Sequence, residues 1–345
     1  MSGREIGFGL IGAGSIAVQH AQAIAATPGA RLVAVAGRSE KSTRQAGEAW
    51  GVDWYLDLEA MLRRPDLDAA VILTPSGLHV EHALAALRRH KHVVIEKPLA
   101  LTLEGADALL GESRARGLTV ATISQRRFEP VIQAVRQAVQ SGALGQIALV
   151  EGTVRFHRGQ EYYDSAGWRG TVAMDGGALM NQGIHMVDLM RWIMGEPDSV
   201  SGHIVTLAHR MEAEDAATAS IRFRNGALGT IAATTCAYPG FDQELRFSGT
   251  KGYIHVVGQE AVAWQVPGIA APVSASSRVS GASDPKAIGS EGHARQYADI
   301  TAALLEGRAP SVTGEHGREA LELVLAVYES SRTGRAVVWN KEVSA

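Results

Sequence analysis

Short apolar runs alternate with helical patterns along the first third of the chain. Five runs have the length of a buried strand: residues 6–11, 31–36, 69–73, 92–95 and 118–123. Strands separated by helices are typical of crossover units, which build a parallel sheet covered by helices on both faces. The pattern therefore predicts a doubly wound α/β domain over residues 1–124.

The pattern changes after residue 124, where a helix is followed by consecutive strands. Asn225-Gly226 separates apolar runs at 218–223 and 228–235, and Asn-Gly between two such runs is a strong hairpin signal. Consecutive strands favour an open, mainly antiparallel sheet. Helical periodicity predicts helices at residues 129–140, 293–305 and 317–331, in addition to one that ends at Gly195. We expect residues 125–345 to form a second, α+β domain.

Composition limits the classes of partner. The 345 residues, 46% apolar and 20% charged, are ordinary for a soluble protein of two domains. With 33 basic and 36 acidic side chains the net charge is -3, which favours neither nucleic acid nor an acidic membrane as partner. Cys236 is the single cysteine, and no apolar run approaches the roughly 20 residues of a membrane helix. We expect a cytoplasmic protein.

A glycine-rich turn joins the first strand to the first helix. The turn reads G-x-G-x-x-A, and its predicted cofactor-binding residues are Gly12, Gly14, Ser15, Ile16 and Ala17. Glycines at these positions permit a tight turn and a close approach of the backbone to a pyrophosphate at the helix N-terminus. The first domain is therefore predicted to be a Rossmann domain that binds a dinucleotide, with a purely structural turn as the alternative.

The end of the second strand bears on which dinucleotide binds. NAD sites usually carry an acidic residue there, but this chain has Gly37 followed by Arg38, Ser39 and Lys41. Arginine can hold a 2′-phosphate with two parallel hydrogen bonds. The sequence favours NADP, with NAD possible, and a solvated Arg38 is the alternative.

Lys97 is the leading candidate for chemistry. It follows the apolar run at 92–95, so it lies at the carboxyl end of a parallel strand, where ligands bind in open sheets. Pro98 restricts the backbone of Lys97. Thr74 and Pro75 end the preceding strand at the same edge, and His79 in the next helix either contacts the nicotinamide or covers the helix end.

A second group of polar residues lies on the helix that ends at Gly195. Asn181 and His185 are four residues apart, so they share one face of a helix whose apolar face begins at Met186. The alternative is a core histidine hydrogen-bonded to Asp188 or to the backbone. Before this helix, an aromatic and basic loop suggests a polyol clamp. Its predicted substrate-binding residues are Tyr163, Trp168 and Arg169, and Arg127 and His293 are further candidates.

Together these motifs resemble the glucose-fructose oxidoreductase, inositol dehydrogenase and MocA family. The matching residues are the turn at 12–17, Thr74-Pro75, Glu96-Lys97-Pro98, Gly176-Gly177, Gly183-Ile184-His185 and Tyr328-Glu329-Ser330-Ser331. The resemblance implies a site between the two domains and a second domain that forms a homodimer or homotetramer. It makes Lys97 and His185 catalytic, and we add Asn181 to them and expect Asn181 and His185 to contact the substrate. The cofactor-binding residues further include Thr74, Pro75, His79, Glu96 and Lys97. Asn181 stands where the family more often has an aspartate.

These residues suit hydride transfer between a nicotinamide and a secondary alcohol or ketone of a sugar, inositol or sugar nucleotide. His185 would take the hydroxyl proton and Lys97 would stabilise the developing alkoxide, or Lys97 would be the base itself. No metal is predicted. Two rivals are a sensor that binds the dinucleotide without catalysis and a glycosidase that recycles its cofactor in place. Net reduction of the cofactor would distinguish the glycosidase.

Overall fold

The structure is a computed structural model that describes residues 4–273, 281–283 and 289–339. The described residues form two compact units. Residues 4–125 and 289–318 make up the first, and the remaining described residues, 126–273, 281–283 and 319–339, make up the second.

The first unit contains a six-stranded parallel sheet. Its strands are β1 (Ile6–Ile11), β2 (Ala30–Ala36), β3 (Asp53–Tyr55), β4 (Ala69–Ile72), β5 (His92–Ile95) and β6 (Val120–Thr122). They lie in the order β3-β2-β1-β4-β5-β6, and every neighbouring pair is parallel. The strand order reverses beside β1, at the switch point where dinucleotides bind in sheets of this kind. The predicted doubly wound domain is confirmed.

Ten α-helices lie within the described residues. They are α1 (Ala17–Ala25), α2 (Glu40–Trp50), α3 (Leu58–Leu62), α4 (His79–Arg88), α5 (Leu103–Arg116), α6 (Pro130–Gln140), α7 (Gln160–Asp164), α8 (Ile184–Met194), α9 (Glu291–Glu306) and α10 (Gly314–Thr333). The short helices α3 and α7 were not predicted, because five residues are too few to show a helical period.

The core of the first unit forms around β1, all six residues of which are buried. Helix α1 packs its alanine-rich face on this core, and Tyr297 of α9 meets the ring of Phe8 edge to face at 5.4 Å. Helix α9 therefore belongs to the first unit, although the sequence had placed all of 125–345 in a second domain. An amphipathic pattern shows that a helix has a buried face but not which sheet buries it.

The second unit contains an eight-stranded sheet in the order β13-β12-β11-β7-β10-β9-β8-β14. Its strands are β7 (Ile147–His157), β8 (Pro197–Val205), β9 (Ala216–Phe223), β10 (Leu228–Thr234), β11 (Cys236–Gly249), β12 (Tyr253–Val257), β13 (Glu260–Gln265) and β14 (Val337–Val338). Strands β7 and β10 pair in parallel, and the other neighbours are antiparallel. The open, mainly antiparallel sheet is thus confirmed, and so is the hairpin at Asn225-Gly226, which joins β9 to β10.

No helix in the described part of the chain is both long enough and apolar enough to cross a membrane.

The core position of β1 leads to a stability prediction. Leu10 is completely buried there, so Leu10→Ala should lower the free energy of unfolding by about 2–5 kcal/mol through lost contacts and a residual cavity. Leu56 is 51% exposed, and Leu56→Ala should change it by less than about 0.5 kcal/mol. Urea denaturation of both variants measures the difference. Equal midpoints would contradict the packing described for β1.

Candidate functional site

The turn between β1 and α1 has the geometry that a pyrophosphate requires. Gly12 has a φ of +115°, and a side chain there would come within 2.8 Å of the Leu73 carbonyl oxygen. At Gly14 a Cβ would meet nothing within 4 Å, so the surface of the turn is open. The backbone can therefore approach a ligand closely at this turn, and the residues present fit a dinucleotide.

The end of β2 leaves no space for the acidic side chain that NAD sites usually have. A Cβ on Gly37 would clash with the hydroxyl of Thr43, which donates to the Ser39 carbonyl at 2.7 Å. Ser39 caps α2, since its hydroxyl accepts from the Ser42 N–H at 3.4 Å. Arg38 and Lys41 are exposed beside this cap. Two cations thus lie where a ribose 2′ substituent is expected.

A buried carboxylate holds the backbone of Lys97. Glu96 Oε2 accepts from the Lys97 N–H at 2.9 Å, and Glu96 Oε1 contacts His20 Nε2 at 2.9 Å. His293 Nε2 lies 3.7 Å from the same Oε1, and the Tyr297 hydroxyl is 2.8 Å from His20 Nδ1. We call Glu96, His20, His293 and Tyr297 the Glu96 cluster. It joins α1, the end of β5 and α9 within the first unit.

Burial and pairing set the charges of the Glu96 cluster. Burial alone would raise the pKa of Glu96, but the hydrogen bond from His20 and the proximity of His293 outweigh it and hold this pKa well below its usual value. Burial lowers the pKa of His20, although the bond to Glu96 opposes the change. The cluster at neutral pH is therefore a carboxylate facing a neutral His20, whose Nε2–H donates to Glu96 and whose Nδ1 accepts from Tyr297.

His79 ties together the two loops that follow β4 and β5. Its side chain is almost fully buried, with Nδ1 2.7 Å from the Pro98 carbonyl oxygen and Nε2 2.9 Å from that of Thr74. Burial lowers the pKa of His79, and a neutral imidazole has one N–H, so one carbonyl at a time accepts from it. These contacts match the structural alternative for His79, because both ring nitrogens face the protein.

In the second unit, the segment with Asn181 and His185 is not one regular helix. Residues Ala178–Gly183 form a π-helical turn that leads directly into α8. Asn181 lies in this turn and His185 in the first turn of α8, and both are half-buried. Short π-helical turns occur often at functional sites, because the wider turn re-aims side chains. The sequence pattern could not separate it from an α-helix.

Helix α8 is anchored by a buried ion pair. Arg127 donates from Nε and Nη2 to the two carboxylate oxygens of Asp188, at 2.8 and 2.6 Å. Its guanidinium also lies 5.0 Å from the centre of the Trp192 ring. Arg127 was predicted to bind substrate, but in the structure its guanidinium binds Asp188 and Trp192 of α8 instead. Asp188, the alternative partner considered for His185, is likewise occupied by Arg127.

The predicted clamp loop contains a stack of flat groups. The guanidinium of Arg169 lies 4.3 Å from the ring centre of Tyr162 and 4.6 Å from that of Trp168, and it donates to the Tyr162 hydroxyl at 2.6 Å. Tyr163, which was predicted to bind substrate, is buried, and its hydroxyl pairs with Thr235 at 2.8 Å. Burial raises its pKa.

The sequence did not predict several residues that the structure places in the Glu96 cluster, in the clamp loop and beside Asn181. They are His20, Tyr297, Tyr162 and Asp175. Asp175 accepts from the side-chain amide of Asn181. The one available signal was a polar residue within an apolar pattern, as for His20 on the buried face of α1. His293 had been assigned to substrate binding, but it is completely buried in the Glu96 cluster.

Comparisons with known proteins agree with this architecture. The family model described as "Oxidoreductase family, NAD-binding Rossmann fold" matches residues 6–124, and that for the GFO/IDH/MocA C-terminal domain matches residues 132–255. The crystal structure of the WlbA dehydrogenase from Bordetella pertussis, in complex with NADH and UDP-GlcNAcA, is 32% identical. The match covers 98% of this chain and 100% of that one, with a TM-score of 0.88.

Two enzymes are similar in sequence. Myo-inositol 2-dehydrogenase of Thermotoga maritima is 29% identical over 255 residues, which is 72% of this chain and 74% of the relative. The 1,5-anhydro-D-fructose reductase of Ensifer adhaerens is 28% identical over 343 residues, which is 95% of this chain and 97% of the relative.

The Glu96 cluster predicts an effect on stability. In Glu96→Gln one of the two donors, the Lys97 N–H or the His20 Nε2–H, must face an NH₂ group, so we expect a loss of about 1–3 kcal/mol in the free energy of unfolding at pH 7. The pKa of the Glu96 carboxyl is lower in the folded chain than in the unfolded chain. Such a group stabilises the fold at pH values above its pKa in the unfolded chain, and this stabilisation is lost as the pH falls through its pKa in the folded chain. The difference between wild type and variant should therefore shrink in acid.

The control for this substitution is Glu112→Gln on α5, which removes a partly exposed pair with Arg116 and should cost at most about 1 kcal/mol. Urea denaturation at several pH values gives both numbers. Equal stability of the two variants would show that the Glu96 cluster does not hold the fold at Lys97.

Proposed function

Because the chain belongs to the GFO/IDH/MocA family of oxidoreductases, we propose that it is an NADP-preferring dehydrogenase or reductase acting on a secondary hydroxyl or ketone of a sugar, inositol or sugar nucleotide. The observation that carries the proposal is the position of Lys97, whose backbone Glu96 holds at the carboxyl end of β5. Cytoplasmic location and homo-oligomerisation stay predictions.

A bound nicotinamide dinucleotide supplies or accepts the hydride. Histidine changes its protonation near neutral pH, so we assign the proton of the reacting hydroxyl to His185. Lys97 hydrogen-bonds the same oxygen and stabilises its developing negative charge. The reverse assignment, with Lys97 as the base, uses the same two side chains.

The preference for NADP rests on the end of β2. Thr43 fills the space that an acidic side chain at position 37 would need, and Arg38 and Lys41 are exposed next to it. A guanidinium can bind a phosphate through two hydrogen bonds, which a ribose hydroxyl cannot match in strength. The similar WlbA dehydrogenase was crystallised with NADH, so cofactor choice is to be measured for this chain itself.

The substrate class rests on the relatives and on the clamp loop. Two similar proteins are named for an inositol and an anhydro sugar, and a third was crystallised with the sugar nucleotide UDP-GlcNAcA; all three compounds carry adjacent hydroxyl groups. Arg169 between the rings of Tyr162 and Trp168 offers donors and flat apolar faces together, which is what a sugar ring requires.

The first test is turnover. Absorbance of reduced cofactor is followed with a panel of inositols, sugars and UDP-sugars, and we expect Lys97→Ala and His185→Ala to lower kcat by about 10²–10⁴-fold while cofactor affinity changes little. Lys251→Ala, an exposed lysine in the second unit, is the control. Release of free sugar without reduced cofactor would instead indicate the glycosidase, and cofactor binding without either reaction would indicate the sensor.

The second test is cofactor choice. Arg38→Ala should raise KM for NADP by about 10- to 100-fold, the value of a lost charged hydrogen bond, and leave KM for NAD nearly unchanged. Arg44→Ala on α2, an exposed arginine near Glu48, should change neither constant. A wild type that prefers NAD, or an Arg38 variant with unchanged KM for NADP, would refute the NADP assignment.

A further inference from the structure

Asp175 lies beside the Asn181–His185 segment and takes no part in the chemistry described so far. Its Oδ1 accepts from the Asn181 side-chain Nδ2, and its Oδ2 accepts from the Gly170 N–H at 2.8 Å. Only 2% of Asp175 is exposed, whereas Asn181 and His185 are half-buried. The carboxylate is thus an interior partner of a more accessible amide.

The turn that carries Asp175 is fixed by its surroundings. The Asp175 and Gly176 N–H groups donate to the Thr171 carbonyl at 3.1 and 2.9 Å. Any side chain on Gly177 would clash with the carboxylate of Glu214. The Asn181 N–H in turn donates to the Gly177 carbonyl at 2.9 Å. Asp175 and Asn181 are therefore held by the same short stretch of backbone, and their contact does not depend on a flexible loop.

An ionised carboxylate only accepts hydrogen bonds, so it decides which end of the Asn181 amide faces it. The NH₂ group donates to Asp175, and the carbonyl oxygen Oδ1 accepts from the Gln182 Nε2 at 3.3 Å, which leaves it a second lone pair for another donor. The two ends of an amide are nearly equal in shape, so without this partner the amide could bind in either orientation. The hydrogen bond to a charged acceptor also increases the negative charge on Oδ1.

We propose that Asp175 is a positioning residue that holds the Asn181 amide with its oxygen outward, as the acceptor for a hydroxyl of the substrate next to the carbon that reacts. This inference rests on the proposed function. Asn181 stands where the resembled family more often has an aspartate. Where such a relative has a carboxylate at position 181, this chain has an amide, and the carboxylate of Asp175 lies one hydrogen bond behind it. His185 therefore still has a hydrogen-bond acceptor four residues before it, the Asn181 oxygen.

A reciprocal exchange of the two side chains tests the assignment. Asp175→Asn keeps an oxygen for the Gly170 N–H but presents NH₂ to Asn181 and so turns that amide around. We expect kcat to fall by about 10- to 100-fold, as for a misplaced catalytic group, with KM for NADP unchanged. The double variant Asp175→Asn/Asn181→Asp restores one carboxylate and one amide, and its kcat should recover to within a few-fold of wild type.

The matched control is Asp107→Asn. Asp107 on α5 is exposed and accepts from Nη2 of Arg318 at 3.2 Å. The same substitution is thus made at an aspartate outside the residues assigned to the site, and its variant should keep the wild-type kcat. An Asp175→Asn variant with wild-type kcat would overturn the proposal. So would loss of activity that the exchange does not rescue, because a purely structural role of Asp175 predicts that result.

A melting experiment tests the contact apart from any turnover. Asn181→Asp places two carboxylates together, and one of them must then hold a proton, so its folded pKa is raised. A raised carboxyl pKa makes the fold lose stability as pH rises. The melting temperature of this variant should fall below that of wild type between about pH 5 and about pH 8, and the double variant should not show the fall. A histidine also changes protonation in this range, and the double variant has the same aspartate four residues before His185, so its comparison with Asn181→Asp isolates the carboxylate pair. Tyr162 and Tyr163, which also interact with the Asp175 charge, titrate above this range.

The two failures are distinguishable. If wild type turns over no substrate of the panel, the proposed function fails, and a pH-independent melting difference for Asn181→Asp would then overturn the Asp175 contact as well. If wild type is active and the exchange has no effect, only the role of Asp175 fails.

Discussion

A charge buried in protein must be paired, and in the first unit this constraint acts on Glu96. Its two carboxylate oxygens take hydrogen bonds from His20 and from the Lys97 backbone, which leaves an ionised group stable in the interior. Because His20 lies on the helix that follows the glycine-rich turn, one carboxylate links the pyrophosphate-binding element to the backbone of Lys97. This link adds to the parallel pairing of β1 with β4 and of β4 with β5, which places the two elements in one sheet.

The second unit uses the same constraint repeatedly. Asp188 is paired by Arg127 and anchors α8, and Asp175 is paired by Gly170 and Asn181. Glu214 accepts from the Leu179 N–H and the Tyr328 hydroxyl, both at 2.8 Å, and so holds the start of the π-helical turn. Each carboxylate fixes backbone near His185 without being a candidate for the reaction. A rigid surrounding of this kind is what positions a catalytic side chain.

The two units contribute different chemistry to the proposed reaction. The first offers an open glycine turn and two exposed cations at the end of β2, which suit a dinucleotide, and Lys97, which we propose to contact the reacting oxygen. The second offers the half-buried His185 and Asn181 and the stacked Arg169. Such a division is consistent with similar proteins that are named for an inositol and an anhydro sugar, and with a similar structure that holds UDP-GlcNAcA.

The sequence by itself determined the features of the fold that depend only on residues close together in the chain. The alternation of strands and helices, the glycine-rich turn and the Asn225-Gly226 hairpin follow from local periodicity and turn chemistry. Lys97 could be placed at a strand end for the same reason. The prediction of a continuous second domain did not anticipate α9 in the first unit, because an amphipathic helix does not specify its partner.

Only the tertiary structure decided the contacts made over long separations in the chain. His20 and Tyr297 are 277 residues apart, and no local pattern relates them. The parallel pairing of β7 with β10 and the burial of His293 are decided in the same way. Even the near pair Asp175 and Asn181 needed the structure, since Asn181 lies in a π-helical turn, which leaves no distinct period in a short sequence.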